Sequence, residues 1–318
     1  MANVIKIKKG LDINLKGKAS DVLLNGGKSD SYAIVPDYYN GIVPKVVAKV
    51  GEKVKAGSVL MIDKTRPEIK FVSPVSGEVT AVNRGEKRKV LSIVVKPDAQ
   101  IEYEEFGKKN VASLQGAEVK EVLLNAGMWP FIKQRPYDIV AAPLDTPRDI
   151  FVSAFYSAPL APNFDFIVKG QEADFQTGLN ALAKLTNGKV YVGVRSGSVV
   201  SGMKGVEIVE VEGPHPAANV GVQINHIKPV NKGEVVWTVN PADVIVIGRL
   251  FNKGVADFSR MVAITGSETT ERGYVKTISG CTIKSLVNGK VLGQEHIRII
   301  SGNVLTGTKV NMDGYLGA

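Results

Sequence analysis

The run Val50-Gly-Glu-Lys-Val-Lys-Ala-Gly-Ser-Val-Leu60, followed by Ser73-Pro-Val-Ser-Gly-Glu-Val79, decides how the first third of the chain is read. Gly51 and Gly57 bracket one short β-branched segment, and Pro74 and Gly77 open the next, so each half reads as strand, turn, strand. The same β-branched, Gly-punctuated pattern extends outward over 42–50, 59–62, 69–72, 77–82 and 90–95. Residues 31–100 are therefore expected to form an all-β unit. Ahead of it, Met1-Ala-Asn-Val-Ile-Lys-Ile-Lys-Lys9 alternates apolar and basic residues like a strand rather than a signal peptide, giving an N-terminal β segment over 1–30.

Beyond residue 101 the period changes. Ala117-Glu-Val-Lys-Glu-Val-Leu-Leu-Asn-Ala-Gly127 has apolar spacing near 3.6 and ends on glycine, the pattern of a capped helix. Asp149-Ile-Phe-Val-Ser-Ala154 reads as a buried strand, and Phe175-Gln-Thr-Gly-Leu-Asn-Ala-Leu-Ala-Lys-Leu185 as an amphipathic helix closing at Asn187-Gly188. With strands at 189–194 and 206–211, this alternation predicts a Rossmann-like α/β domain with a parallel sheet over 101–255. The apolar run Asp243-Val-Ile-Val-Ile-Gly-Arg-Leu-Phe251 is strand-length and interrupted by charge. It falls short of the roughly 20 residues of a membrane span. Residues 256–318 return to β-type patterning, with strands at 260–264, 274–277 and 296–300 and a short helix at 282–287, a small β-grasp unit. The chain stops at Met312-Asp-Gly-Tyr-Leu-Gly-Ala318 without a polar tail, which reads as a truncated form.

The 318 residues carry a net charge of +9. The first hundred hold 18 Lys and Arg against 10 Asp and Glu, so the excess is concentrated there. Such a domain suits nucleic acid, an anionic membrane surface or an acidic partner. The lysines punctuate Val- and Gly-rich strands and are not interleaved with aromatics, which argues against nucleic acid and leaves a solvated basic face. A single cysteine, Cys281, excludes an internal disulfide and an all-cysteine metal or iron–sulfur site. His215, His226 and His296 lie far apart and lack metal-ligand spacing. No nucleophile elbow, zincin helix, phosphate loop or dinucleotide fingerprint occurs, so no catalytic residue is assigned.

The two quoted half-motifs resemble biotinyl/lipoyl carrier domains, which implies a barrel-sandwich hybrid over 31–100. Carriers hold their modified lysine at a hairpin tip midway between the halves. Here the midpoint between Leu60 and Pro74 falls at Pro67, and Lys64 lies off it, so no covalent modification is expected. Asp63 and Lys64 read instead as a surface ion pair. The whole chain resembles the A subunits of the sodium-translocating NADH:quinone reductases. Gly10-Leu-Asp-Ile13, Asp63-Lys64, Gly127-Met-Trp-Pro-Phe-Ile-Lys-Gln-Arg-Pro136, Thr146-Pro-Arg-Asp-Ile-Phe-Val-Ser-Ala154, Gly213-Pro-His-Pro-Ala217 and Ile300-Ser-Gly-Asn-Val-Leu-Thr-Gly307 carry the resemblance. Members of that family are longer by a C-terminal helical segment, and their C-terminal β-grasp domain is of the SLBB-like kind.

The resemblance extends, more distantly, to the flavoprotein subunit of respiratory complex I and the C subunit of Rnf complexes. There a glycine-rich loop cradles FMN phosphate through backbone N–H groups. The matching stretch here, Asn125-Ala-Gly-Met-Trp-Pro-Phe131, keeps one glycine, and Pro130 has no N–H to donate. The relatives' cluster cysteines are also missing. The resemblance therefore implies a chain without FMN, iron–sulfur centre or other metal, with NADH, flavins and iron handled by other subunits. It implies quinone as substrate, the complex's membrane subunits as partners, and a peripheral place on the cytoplasmic side of the bacterial inner membrane. A translocase subunit (EC 7.2.1.1), inactive in isolation, is expected. Trp129 and Phe131 would wall a flat quinone ring, with Lys133 or Arg135 donating to its carbonyls, or the aromatics simply fill the vacated flavin pocket. His215, between two prolines, either reaches a quinone or a partner or marks a rigid turn in solvent. His226 and Trp237 are expected to be packing residues.

Overall fold

The computed structural model describes residues 3–293 and 297–317. The N-terminal alternation does form a strand, β1 (Asn3–Lys6), but it pairs in parallel with a strand two hundred residues away and joins the α/β sheet. The glycine-punctuated region forms β2 (Tyr32–Ile34), β3 (Pro44–Val46), β4 (Lys53–Val54), β5 (Val59–Asp63), β6 (Lys70–Val72), β7 (Gly77–Arg84) and β8 (Val90–Pro97). Two antiparallel sheets, β2-β8-β7-β4 and β3-β5-β6, face each other as a barrel-sandwich hybrid. Leu60, Met61, Ile69, Val75, Val79 and Ile93 are fully buried between them.

The α/β unit follows as α1 (Gly116–Asn125), β9 (Ile132–Arg135), β10 (Ile139–Val140), β11 (Ile150–Ser153), α2 (Phe164–Val168), α3 (Glu172–Ala183), β12 (Val190–Val194), β13 (Glu207–Glu212), α4 (Val220–Ile227), β14 (Val236–Val239) and α5 (Pro241–Lys253). The seven-stranded sheet runs β1-β13-β12-β11-β14-β9-β10. Its first five members are parallel, and β9 and β10 are antiparallel additions. The chain goes from β11 outward through β12 and β13, then back across to β14. The switch point, where ligands of such folds bind, thus lies between β11 and β14.

The run 243–251, strand-length in the sequence, is helical. Its caps decide this: the Asn240 side chain accepts the Ala242 N–H, Pro241 occupies the first turn, and Gly254 closes the helix at φ 77°. Every residue from Asp243 to Phe251 is buried, so no polar face betrays the 3.6 period. Gly178 of α3 and Gly248 of α5 let the two helices nearly touch: a Cβ at Gly248 would lie 1.7 Å from the Asp174 carbonyl oxygen.

The C-terminal unit holds β15 (Ser259–Ile264), β16 (Gly273–Ile278), α6 (Ile283–Val287), β17 (Ile299–Ser301) and β18 (Thr308–Val310). The strand expected at 296–300 begins with His296, which lies outside the described residues; β17 follows it. Between β1 and the barrel, the arm of residues 7–31 touches both other units. Leu11 N–H bonds His215 O, Gly17 O accepts Gly266 N–H, and Leu24 N–H bonds Tyr274 O.

Candidate functional site

The expected quinone-binding segment divides among three environments. After α1, Gly127 takes φ 67°, and a Cβ there would lie 2.6 Å from Val72, so glycine lets the barrel rest against the helix end. Trp129, Pro130 and Phe131 then make one buried 3-10 turn. Trp129 has no exposed surface. Its indole Nε1–H donates to Ala141 O at 2.8 Å, and its ring meets Trp237 edge-on at 5.4 Å. Met128 is equally buried, and Pro130 offers no N–H donor.

Phe131 sits differently. With Tyr38, Tyr39, Phe71, Phe258 and Leu316 it lines an aromatic slot of about 40 Å³ where the barrel, the α/β unit and the C-terminal unit meet. Phe131 contacts Phe258 edge-on at 6.1 Å, and Tyr39 contacts Phe71 at 4.7 Å. A cavity of roughly 150 Å³ accepts a benzene ring, so the slot as it stands is too small for one. Lys133 and Arg135 project from one face of β9, half exposed, 3.9 and 3.6 Å from the Asp138 carboxylate. They lie on a strand, just past the stretch 125–131 that matches the relatives' phosphate loop.

His215 is elsewhere. It follows β13, four strands from β9 and so about 19 Å away across the sheet. Its imidazole is part-buried, with Nδ1 3.0 Å from Ser157 Oγ, which in turn accepts Ala218 N–H. Asp12 accepts His215 N–H at 2.9 Å. The beginning of the N-terminal arm thus pins this corner. Nearby, Arg195 donates to Val211 O and Gly213 O and lies 4.6 Å from the centre of the Phe155 ring. His226, expected to pack, is exposed on the last turn of α4 with Nδ1 2.8 Å from Val222 O; Trp237 is fully buried as expected.

Two ion pairs each hold a buried aspartate. Asp63, expected to pair with Lys64, pairs with Arg66 at 2.8 Å, and Lys64 is exposed. Burial pushes the Asp63 carboxyl up, but Val43 N–H, Thr65 N–H, the Thr65 hydroxyl and Arg66 all donate to it and hold it below the usual range. Arg66 also donates to Val140 O and Gly41 O. The hairpin tip that carries the modified lysine in carrier domains is therefore fastened to the α/β unit. Asp243, in the first turn of α5 at the switch point, meets Arg260 of β15 at 3.0 Å. There burial wins: it pushes the carboxyl up, with Arg260 only partly opposing. Burial likewise raises the phenols of Tyr39 and Tyr156, and Tyr156 donates to Asn240 at 3.2 Å. Sequence reading misses Tyr38, Tyr39, Phe258, Asp243 and Arg260, because only folding brings three separate units to one point. The helix caps around Asp243 are the one available signal.

No group of three or more potential metal ligands occurs among the described residues. Cys281 is buried, and burial raises its thiol. No described helix is long and apolar enough to cross a membrane.

Three family models match the chain. They are the NqrA N-terminal barrel-sandwich hybrid domain over 5–98, the NqrA second alpha/beta domain over 114–256, and the NQRA C-terminal (SLBB) domain over 261–312. The chain is 37% identical to the A subunit of the Na(+)-translocating NADH-quinone reductase of Photorhabdus laumondii subsp. laumondii, over 99% of this chain and 71% of that one. It is 38% identical to the corresponding protein of Hahella chejuensis, over 96% of this chain and 69% of that one. A solved NAD+-reducing NiFe hydrogenase overlaps 55% of this chain and 38% of its own, at 12% identity and a TM-score of 0.38, too remote to carry an argument.

Proposed function

Because the chain belongs to the family of A subunits of the Na+-translocating NADH-quinone reductase, we propose that it works as the A subunit of such a complex, docking on membrane subunits beside the point where quinone is reduced. The observation that carries this is the relationship itself, which runs through all three units. The complex couples NADH oxidation and quinone reduction to sodium export, and this chain supplies no redox centre of its own. Burial of Met128 and Trp129, and of the lone Cys281, supports that division of labour. Isolated, the chain turns over neither NADH nor quinone. The basic first hundred residues favour a peripheral place on the cytoplasmic face of the inner membrane, against anionic lipid or acidic neighbours.

Quinone contact belongs to Phe131 and the slot around it, with Trp129 as buried support and Lys133 and Arg135 at the adjoining strand face. His215 lies too far away to share that ligand and serves the β13 corner. The slot's small volume favours a second reading, a docking subunit with no ligand of its own. A short-chain quinone titrated into the isolated chain separates the two. Both tryptophans lie in this core, so saturable quenching that Phe131→Ala abolishes supports contact, whereas no saturable quenching leaves the docking role alone.

A further inference from the structure

Residues 8–16 are all exposed, yet the segment around them is held at two points. The segment is fixed at Leu11, whose N–H bonds His215 O, and at Gly17, whose carbonyl accepts Gly266 N–H. Between these anchors, 11–15 run without turn or bend. Leu11, Ile13 and Leu15 are 69%, 43% and 45% exposed, an alternation of large apolar side chains left in water. From residue 12 to residue 16, no backbone N–H or C=O has a hydrogen-bond partner among the described residues. Lys8, Lys9, Lys16 and Lys18 flank the stretch, all exposed and none within ion-pair range of a carboxylate among the described residues. The single acid, Asp12, is engaged by His215 N–H.

We propose that residues 11–16 are a docking edge onto which an extended, acidic segment of a partner protein adds as a β-strand. Three features select that occupant. The unpaired peptide groups are what an added strand satisfies, and side chains at alternate positions then supply specificity. Exposed Leu and Ile at those alternate positions supply an apolar contact. The flanking lysines complement carboxylates on the incoming segment and speed its arrival. An anionic membrane shares the charge complementarity, but burying open peptide groups against lipid leaves them unsatisfied at several kcal/mol each, so the backbone decides for protein. This deepens the docking role above and rests on it.

Amide hydrogen exchange on the full chain tests the proposal in three settings: alone, with vesicles containing phosphatidylglycerol, and assembled with the other subunits. Alternate amides between residues 12 and 16 should slow at least tenfold in the assembly and stay unchanged with vesicles. Ile13→Asp should weaken assembly at least tenfold with an unaltered melting curve. A Lys8, Lys9, Lys16, Lys18→Gln variant should lose the salt dependence of assembly. Assembly that leaves these amides unprotected overturns the proposal and spares the subunit role. Protection by vesicles alone overturns it in favour of a lipid surface. A wild-type chain that fails to assemble at all overturns the subunit role, and the docking edge with it.

Discussion

The segment from Trp129 to Arg135 and the arm from Leu11 to Lys16 invert what their chemistry leads one to expect. The first has an indole, a phenyl ring and two cations, the composition of a binding site, and folding seals most of it: Trp129 is fully buried and hydrogen-bonded. The second is a plain alternation of Leu, Asp, Ile and Asn, yet it keeps its apolar side chains exposed and its peptide groups unpaired. Residue type sets what a segment can bind, while the surrounding fold sets whether it is reachable. Interaction is expected where capacity is left unsatisfied, which in this chain means the arm and the small slot beside Phe131.

The sharpest way to break the comparison is Trp129→Ala. If the indole is core, its removal costs about 3–5 kcal/mol of stability, read as a large fall in the unfolding midpoint. A variant that melts normally would show the site to be open after all. Next in size is Arg66→Ala, which strips Asp63 of its buried partner and frees the hairpin from Val140 and Gly41. A loss of roughly 3 kcal/mol is expected in denaturant titrations, and an unchanged midpoint would mean the tip is not fastened.

Asp63 and Asp243, both buried, give opposite pH signatures. Asp63 has a depressed folded pKa, so its stabilisation is present above the unfolded value near ~3.9 and is lost as pH falls through the folded one. Asp243 has a raised folded pKa, so the native state holds its proton longer and stability declines as pH rises from the unfolded value through the folded one. Asp243→Asn should flatten that decline in midpoints measured over roughly pH 4 to 8, whereas an unchanged slope would assign it elsewhere. Smallest is Ile13→Asp, within about 0.5 kcal/mol of wild type because the residue lies outside the hydrophobic core and is 43% exposed. A larger loss would make the arm structural.

Much of the fold is legible in the sequence, for identifiable reasons. The barrel follows from glycine turns around short β-branched runs, and α1 from its 3.6 period ending at Gly127. Helix α5 passes for a strand because a fully buried helix shows no polar face, although Asn240, Pro241 and Gly254 spell out its caps. The Asp63 partner reads as its neighbour Lys64, but in this hairpin the residue at i+3 folds back and the residue at i+1 points away. The slot is invisible, since Tyr39, Phe131 and Phe258 are joined only by tertiary packing.

The most direct test of the proposed role is the quinone dependence of the reassembled complex carrying Phe131→Leu, a change that keeps the position apolar. Quinone contact at Phe131 entails at least a tenfold rise in the KM for quinone, with NADH oxidation by an artificial acceptor and the unfolding midpoint little changed. A KM equal to that of wild type in a fully assembled complex would contradict it.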